Sequence, residues 1–235
     1  MLNAKVAIRY TVAGAAAALG AWWLGGWGWL LIWLAISCFA QALAYAGWGA
    51  AVFQKSNGRL PWSVRIVLAP YMICARITLH YYCRGFAPYA QVTPTVWIGR
   101  RLTDQEATEA IAKGVTAAVD MTAGFPECAP LLGLRYRNIQ LLPLTVPNLD
   151  QLREAVRFVQ EQSRDGIVYV HGALGYSRSV GVVAAYLLAA GLAASVEEAV
   201  DRVRAVTPQT LLDSTWMKRL HEFEAGMVGA QERHS

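Results

Sequence analysis

The chain has 235 residues, 55% of them apolar, nine tryptophans and a formal net charge of +5. That charge is unevenly placed: Lys5, Arg9, Lys55, Arg59, Arg65, Arg76 and Arg84 precede Ala90 with no Asp or Glu among them, and all 16 acidic residues follow it. Positive charge that flanks apolar runs marks membrane orientation and attraction to anionic lipid, which excludes nucleic acid as the natural partner. Cys38, Cys74, Cys83 and Cys128 have neither metal-ligand spacing nor the density of a disulfide scaffold.

A bilayer core about 30 Å thick takes roughly 20 helical residues. Residues 8–24 and 29–53 supply two candidate spans, joined by Gly25-Gly26-Trp27-Gly28, and the first apolar stretch runs into the second with no cleavable-leader pattern. The expectation is a two-helix transmembrane hairpin. Lys5 and Arg9 before it and Lys55, Arg59 and Arg65 after it place both termini in the cytoplasm. Trp22, Trp23, Trp27 and Trp29 then form an interfacial belt at the far turn. Gln41 reads as a packing residue, and the small residues 14–18 permit helix association. Residues 60–85 are apolar and aromatic with Arg65, Arg76 and Arg84 interspersed, and Pro70 breaks or kinks the helix there. They read as amphipathic pieces lying on the cytoplasmic leaflet or packed on a soluble domain.

From about residue 91 strands and helices alternate. Strands are predicted at 95–99, 115–120, 136–142 and 167–171. Helices are predicted from Thr103, with Glu106 in capping-box position, to Gly114; from Pro147-Asn148 to about Arg164; and over 180–190, 195–206 and 211–225. The pattern implies an α/β fold with a mostly parallel sheet flanked by helices. The expected division is a hairpin at 1–55, a juxtamembrane segment at 56–90, a cytoplasmic domain at 91–228 and a tail at 229–235.

The chemistry concentrates in IVYVHGALGYSRSVGVV. A buried strand ends at His171, a tight loop of Gly172, Ala173, Leu174, Gly175, Tyr176 and Ser177 follows, and Arg178 and Ser179 enter a helix. Peptide N–H groups in such a turn converge on one point at a helix N-terminus, and an arginine there can fork onto an oxyanion. The predicted ligand of Gly172–Arg178 is a phosphate.

The stretch VHxxxGxSRS resembles the signature loop of the protein tyrosine and dual-specificity phosphatases. The similarity runs from about Pro94 to Glu224 and is strongest to the lipid-phosphate members and to bacterial membrane-attached relatives. It implies a dual-specificity-phosphatase-like fold, a catalytic role for Arg178 and Ser179, and a loop-bracing role for His171. It also implies a cysteine nucleophile at position 172, where this chain has glycine. The general-acid aspartate of the family aligns with Pro143 in LLPLTVP, and Asp150, the nearest carboxylate, opens a predicted helix. Both chemical groups are missing.

The expected protein is therefore a pseudophosphatase at a bacterial inner membrane. It would bind a phosphorylated ligand, a lipid phosphate first of all, and regulate or scaffold another membrane protein. No metal and no cofactor are expected. Two rival readings share the fold: an inactivated form of an active phosphatase, and a structural membrane adaptor without ligand. A serine hydrolase, suggested by Gly175-x-Ser177, lacks the motif's last glycine, and His221 and Asp201 fall in predicted amphipathic helices.

Overall fold

The computed structural model describes residues 3–231. Of the tail expected at 229–235, residues 232–235 lie outside the described residues, and the last helix runs to Gln231. The chain divides into two compact units.

The first unit comprises the chain through Tyr82 together with Ala123–Pro126 and Gln140–Thr145. Helix α1 (Ala4–Leu24) is capped by the Asn3 side chain, which accepts from the Val6 amide. A turn of 3-10 geometry at Gly26–Trp29 leads into α2 (Leu30–Leu43), and Gly25 and Gly26 take the positive φ angles that let the chain reverse there. The two helices approach closely because Gly14 has no side chain: a Cβ on it would lie 3.0 Å from the Phe39 ring. Gln41 is fully buried, and neither of its amide atoms has a hydrogen-bond partner among the described residues. Beyond α2 the helical path tightens and loosens, through a π turn broken at Gly47 and a 3-10 turn ending at Phe53. The stretch Gly26–Phe53 is long and apolar enough to cross a membrane by length and composition.

Helices α3 (Trp62–Val67) and α4 (Ala69–Cys83) follow, with the break at Leu68 so that Pro70 sits in the first turn of α4, where its missing N–H has no helical partner to lose. Tyr45, Phe53, Leu60, Leu68 and Met72 form the core of this unit with Ala123 and Leu142. The segment after the fourth strand thus folds onto the helices. The Tyr45 hydroxyl donates to the Pro143 carbonyl at 2.9 Å, and the Gln140 side-chain amide donates to the Lys55 carbonyl at 2.8 Å.

The second unit is built on a five-stranded sheet. Its elements in chain order are β1 (Tyr89–Thr93), β2 (Val96–Gly99), α5 (Asp104–Ala112), β3 (Val115–Asp120), α6 (Ala129–Leu132) and β4 (Arg135–Asn138). Then come α7 (Leu149–Gln162), β5 (Ile167–His171), α8 (Arg178–Ala189), α9 (Val196–Val206) and α10 (Ser214–Gln231). The strand order is β1-β2-β5-β3-β4, parallel except for the antiparallel edge pair β1–β2. The fold is therefore α/β with a mostly parallel sheet flanked by helices, as the sequence implies. The expected capping box of Thr103 with Glu106 forms at α5, and a second, Asn148 with Gln151, starts α7. The strand predicted at 136–142 is shorter, ending at Asn138, because the residues after it turn away to the helical unit. The β1 edge strand was not predicted.

Strand β5 lies at the centre of the sheet, and its last residue, His171, pairs between Gly99 of β2 and Asp120 of β3. Loops that follow the C-terminal ends of parallel strands are where such sheets place ligands. Helix α8 is buried along most of its length, and Gly181 on it faces Trp216 of α10, whose ring atoms lie 2.2 Å from where a Cβ would be. Gly181→Ala is expected to lower unfolding free energy by about 1–3 kcal/mol through overpacking, seen as a fall in the melting temperature by circular dichroism.

Candidate functional site

The loop from Gly172 to Ser177 joins the central strand to α8. Its outer peptide groups are tied into the sheet: the Gly172 amide donates to the Gly99 carbonyl at 3.3 Å, and the Arg101 amide donates to the Ala173 carbonyl at 3.1 Å. The amides of Ala173, Leu174, Gly175 and Ser177 give no hydrogen bond to any acceptor among the described residues. Peptide N–H groups of buried and half-buried residues are almost always paired in a folded protein, so a cluster without internal acceptors is a candidate anion cradle.

Arg178 closes the cradle. Its guanidinium donates to the Met121 carbonyl at 3.0 Å, which holds the side chain across the loop. A Cβ placed on Gly172 would sit 3.8 Å from the Arg178 Cβ and 3.9 Å from both the Arg178 Nε and the Gly175 amide nitrogen. A side chain at position 172 would therefore project toward the guanidinium and the loop amides with only ordinary contacts. Gly172 has no positive φ, so its backbone suits any residue. Gly175 differs. Its φ is +78°, and a Cβ there would come within 2.7 Å of the Gly99 backbone. The turn requires glycine at 175 and merely has glycine at 172.

His171 is fully buried, with Nδ1 3.3 Å from the Gly172 carbonyl and Nε2 2.8 Å from Oε2 of Glu127. The Glu127 contact on one side and the Gly172 carbonyl on the other flank the ring at the start of the loop. The Glu127 side chain is itself held by the Cys128 amide at 2.8 Å. Asp120 completes a buried group with Glu127 and His171, their ligand atoms all within 4.8 Å of one another. One oxygen of Asp120 accepts from the Thr122 amide and hydroxyl and the other from the Tyr136 hydroxyl, so the Asp120 carboxylate is spent on protein hydrogens, while Glu127 Oε2 faces His171 Nε2. Burial and the neighbouring Asp120 charge push the Tyr136 hydroxyl pKa up, which keeps it a donor.

The structure brings Gly172, Ala173, Leu174, Gly175, Tyr176, Ser177, Arg178, Ser179 and His171 together at one end of β5. Pro143 belongs to the helical unit. Ser179 is fully buried in the first turn of α8, its hydroxyl without a partner among the described residues. No native thiol stands in at position 172. Burial pushes the Cys128 thiol up to about 12, with the Glu127 charge adding to it, and burial raises Cys83 as well. His221 lies 3.3 Å from Glu197 and 3.6 Å from Glu224, and Asp201 pairs with Arg204 at 2.9 Å, surface ion pairs that leave no serine-hydrolase triad. A cavity of about 190 Å³ borders the loop at Leu174, Gly175 and Tyr176 and is lined by neither Gly172 nor Arg178.

The sequence did not single out Glu127, Asp120 or the Met121 carbonyl. All three follow β3 or end it, and only the pairing of β3 with β5 brings them to the loop.

Residues 96–226 match the family described as dual specificity phosphatase, catalytic domain. No curated protein matches the chain. The fold is similar to PTPMT1 in complex with PI(5)P, with TM-score 0.57 and 23% identity, over 62% of this chain and 99% of that one. It is similar to Tk-PTP in the active form, with TM-score 0.54 and 24% identity, over 60% of this chain and 98% of that one. Human DUSP28 gives TM-score 0.52 and 21% identity, over 60% and 96% respectively. At these identities the structural likeness establishes the fold.

The two loop glycines should respond oppositely to a methyl group. Gly172→Ala is expected to leave stability unchanged or raise it by about 0.4–1 kcal/mol, by restricting the unfolded chain. Gly175→Ala is expected to cost at least about 1–2 kcal/mol from its left-handed backbone alone. Parallel denaturant titrations check the pair.

Proposed function

Because the chain belongs to the dual specificity phosphatase family, we propose that it works as a membrane-held pseudophosphatase, binding a phosphorylated ligand at Gly172–Arg178 without hydrolysing it. The observation that carries this reading is a cradle whose amides and guanidinium are in place around a position that has no side chain. In an active relative a thiolate at this position attacks phosphorus, helped by loop amides that stabilise its charge. Removing the nucleophile from a concerted site costs on the order of 10⁶ in rate. The missing acid at Pro143 costs a further factor of about 10²–10⁴.

Binding is not lost with the sulfur. A thiolate and a phosphate charge 4 Å apart repel by about 4 kcal/mol at an effective dielectric near 20, and glycine removes that repulsion. The cradle is thus better suited to holding a dianion than to cutting it.

The ligand is read as a lipid phosphate. The first 82 residues supply an apolar helical hairpin flanked by Lys5, Arg9, Lys55, Arg59 and Arg65, which points to attachment at the cytoplasmic face of a bacterial inner membrane with both termini cytoplasmic. A domain held there meets phosphorylated headgroups first. That PTPMT1 was solved with PI(5)P supports the same ligand class. The role that follows is regulation or scaffolding of another membrane protein through a retained phosphate.

Restoring the chemistry tests the reading. The wild-type chain should show no turnover of a soluble phosphomonoester. Gly172→Cys should give a thiol that alkylates rapidly near neutral pH but only weak phosphatase activity, and Gly172→Cys with Pro143→Asp should gain about 10²–10⁴ over the single variant. Full activity from Gly172→Cys alone would instead mark the chain as an inactivated enzyme. Arg178→Ala should weaken binding of a short-chain phosphoinositide at least tenfold, whereas unchanged binding would favour a ligand-free adaptor.

A further inference from the structure

The helical unit contains no acidic residue: none precedes Ala90, and none occurs in 123–126 or 140–145. Its arginines have no carboxylate of their own unit to pair with. Two of them, Arg65 and Arg76, are exposed and line a groove of about 350 Å³ with Trp33, Trp62, Ile66 and Ile73. Trp62, Ile66, Ile73 and Ile77 recur at helical spacing and are 54–75% exposed, forming an apolar stripe beside the two cations.

This stripe has a fixed position along the hairpin. The Trp33 indole donates to the Ile66 carbonyl at 2.9 Å, and the Tyr71 amide donates to the Ser37 hydroxyl at 3.3 Å. Those bonds lash the α3–α4 path to the first eight residues of α2, with Ile66 at the level of Trp33, nearer the tip. Gly20 of α1 faces Leu31 of α2, where a Cβ would lie 3.2 Å from the leucine methyl. Counting from that level, Trp33 lies about 9 Å from the end of α1 at 1.5 Å per residue, and the turn adds a few ångström. The hydrocarbon core is about 30 Å thick, so each leaflet contributes about 15 Å. A hairpin that crossed the core would carry Arg65, the neighbour of Ile66, deep into hydrocarbon with no carboxylate to meet it. With the arginines at the headgroups, the tip reaches only about the midplane.

We infer that the hairpin enters one leaflet and returns, and that α3 and α4 lie at the headgroup level with the Arg65–Arg76 groove holding an anionic phospholipid. The phosphate of that lipid is the missing counter-charge, and the Trp33–Trp62 side of the groove takes the start of its acyl chain. The uncharged tip, where Trp22, Trp23, Leu24, Trp27, Trp29 and Leu30 are each at least 60% exposed, is the part immersed in lipid. This deepens the membrane reading above and rests on it.

The test labels the tip. Trp27→Cys is compared with the wild-type chain, whose own thiols give the background, in bacterial spheroplasts and inside-out inner-membrane vesicles treated with a membrane-impermeant maleimide. The expected result is no added label from either side and added label after detergent. Added label on intact spheroplasts means the tip has crossed, which overturns the inference and leaves membrane anchoring intact. Added label on inside-out vesicles without detergent puts the tip in water and also overturns it. A chain recovered in the soluble fraction overturns both readings.

A second arm tests the groove with purified protein. Arg65→Gln with Arg76→Gln should weaken partition onto vesicles of phosphatidylcholine mixed with phosphatidylglycerol about 30-fold, roughly fivefold for each arginine at an anionic surface. Partition onto pure phosphatidylcholine should be unchanged. Equal partition of variant and wild type onto the mixed vesicles overturns the groove assignment.

Discussion

A peptide N–H in a buried or half-buried turn needs a partner, and the loop after β5 leaves several without an internal acceptor. Much else in the second unit serves that loop. The central strand is flanked on both sides, so that Gly99 and Asp120 bracket His171. His171 is gripped by Glu127, and Arg178 by the Met121 carbonyl, so the two ends of the loop are anchored to β3 and its sequel. Gly175 passes against the Gly99 backbone at a distance no side chain tolerates. These contacts cost conformational freedom and form no apolar core; their effect is to hold the loop in one shape.

Against that preparation, position 172 stands out because nothing in the backbone asks for glycine there. The strand end is unstrained, and the space ahead of it is open to a side chain. Pro143 lies in the helical unit, where its carbonyl accepts from the Tyr45 hydroxyl. Catalysis needs sulfur and a proton donor in addition to the cradle; binding needs the cradle alone.

The elements most legible in the sequence were those with local causes. Thr103 with Glu106 announced one helix start through side chains three residues apart, Pro147-Asn148 announced another, and IVYVH announced a buried strand through an unbroken apolar run. The loop of Gly172 to Arg178 was legible for the same reason, since strand, turn and helix start are contiguous. What the sequence withheld was long-range. Tyr89–Thr93 is a short, half-buried edge strand with no strong alternation, and it becomes a strand only by pairing with β2. Residues 139–142 look like a continuing strand, but Leu142 packs in the core cluster that holds Tyr45 and Phe53. Glu127 carries no local mark of its role, which depends on the parallel pairing that brings β3 beside β5.

The central claim, that this site grips phosphate and leaves it intact, can be read in one titration. Amide resonances of Ala173, Leu174, Gly175, Ser177 and Arg178 in the wild-type chain would be followed as a phosphomonoester is added, while the phosphorus spectrum of the same sample reports hydrolysis. The account predicts saturable shifts confined to these amides with the ester bond unbroken over days. Free phosphate accumulating at an enzyme-like rate, or loop amides that stay still at saturating ligand, would contradict it.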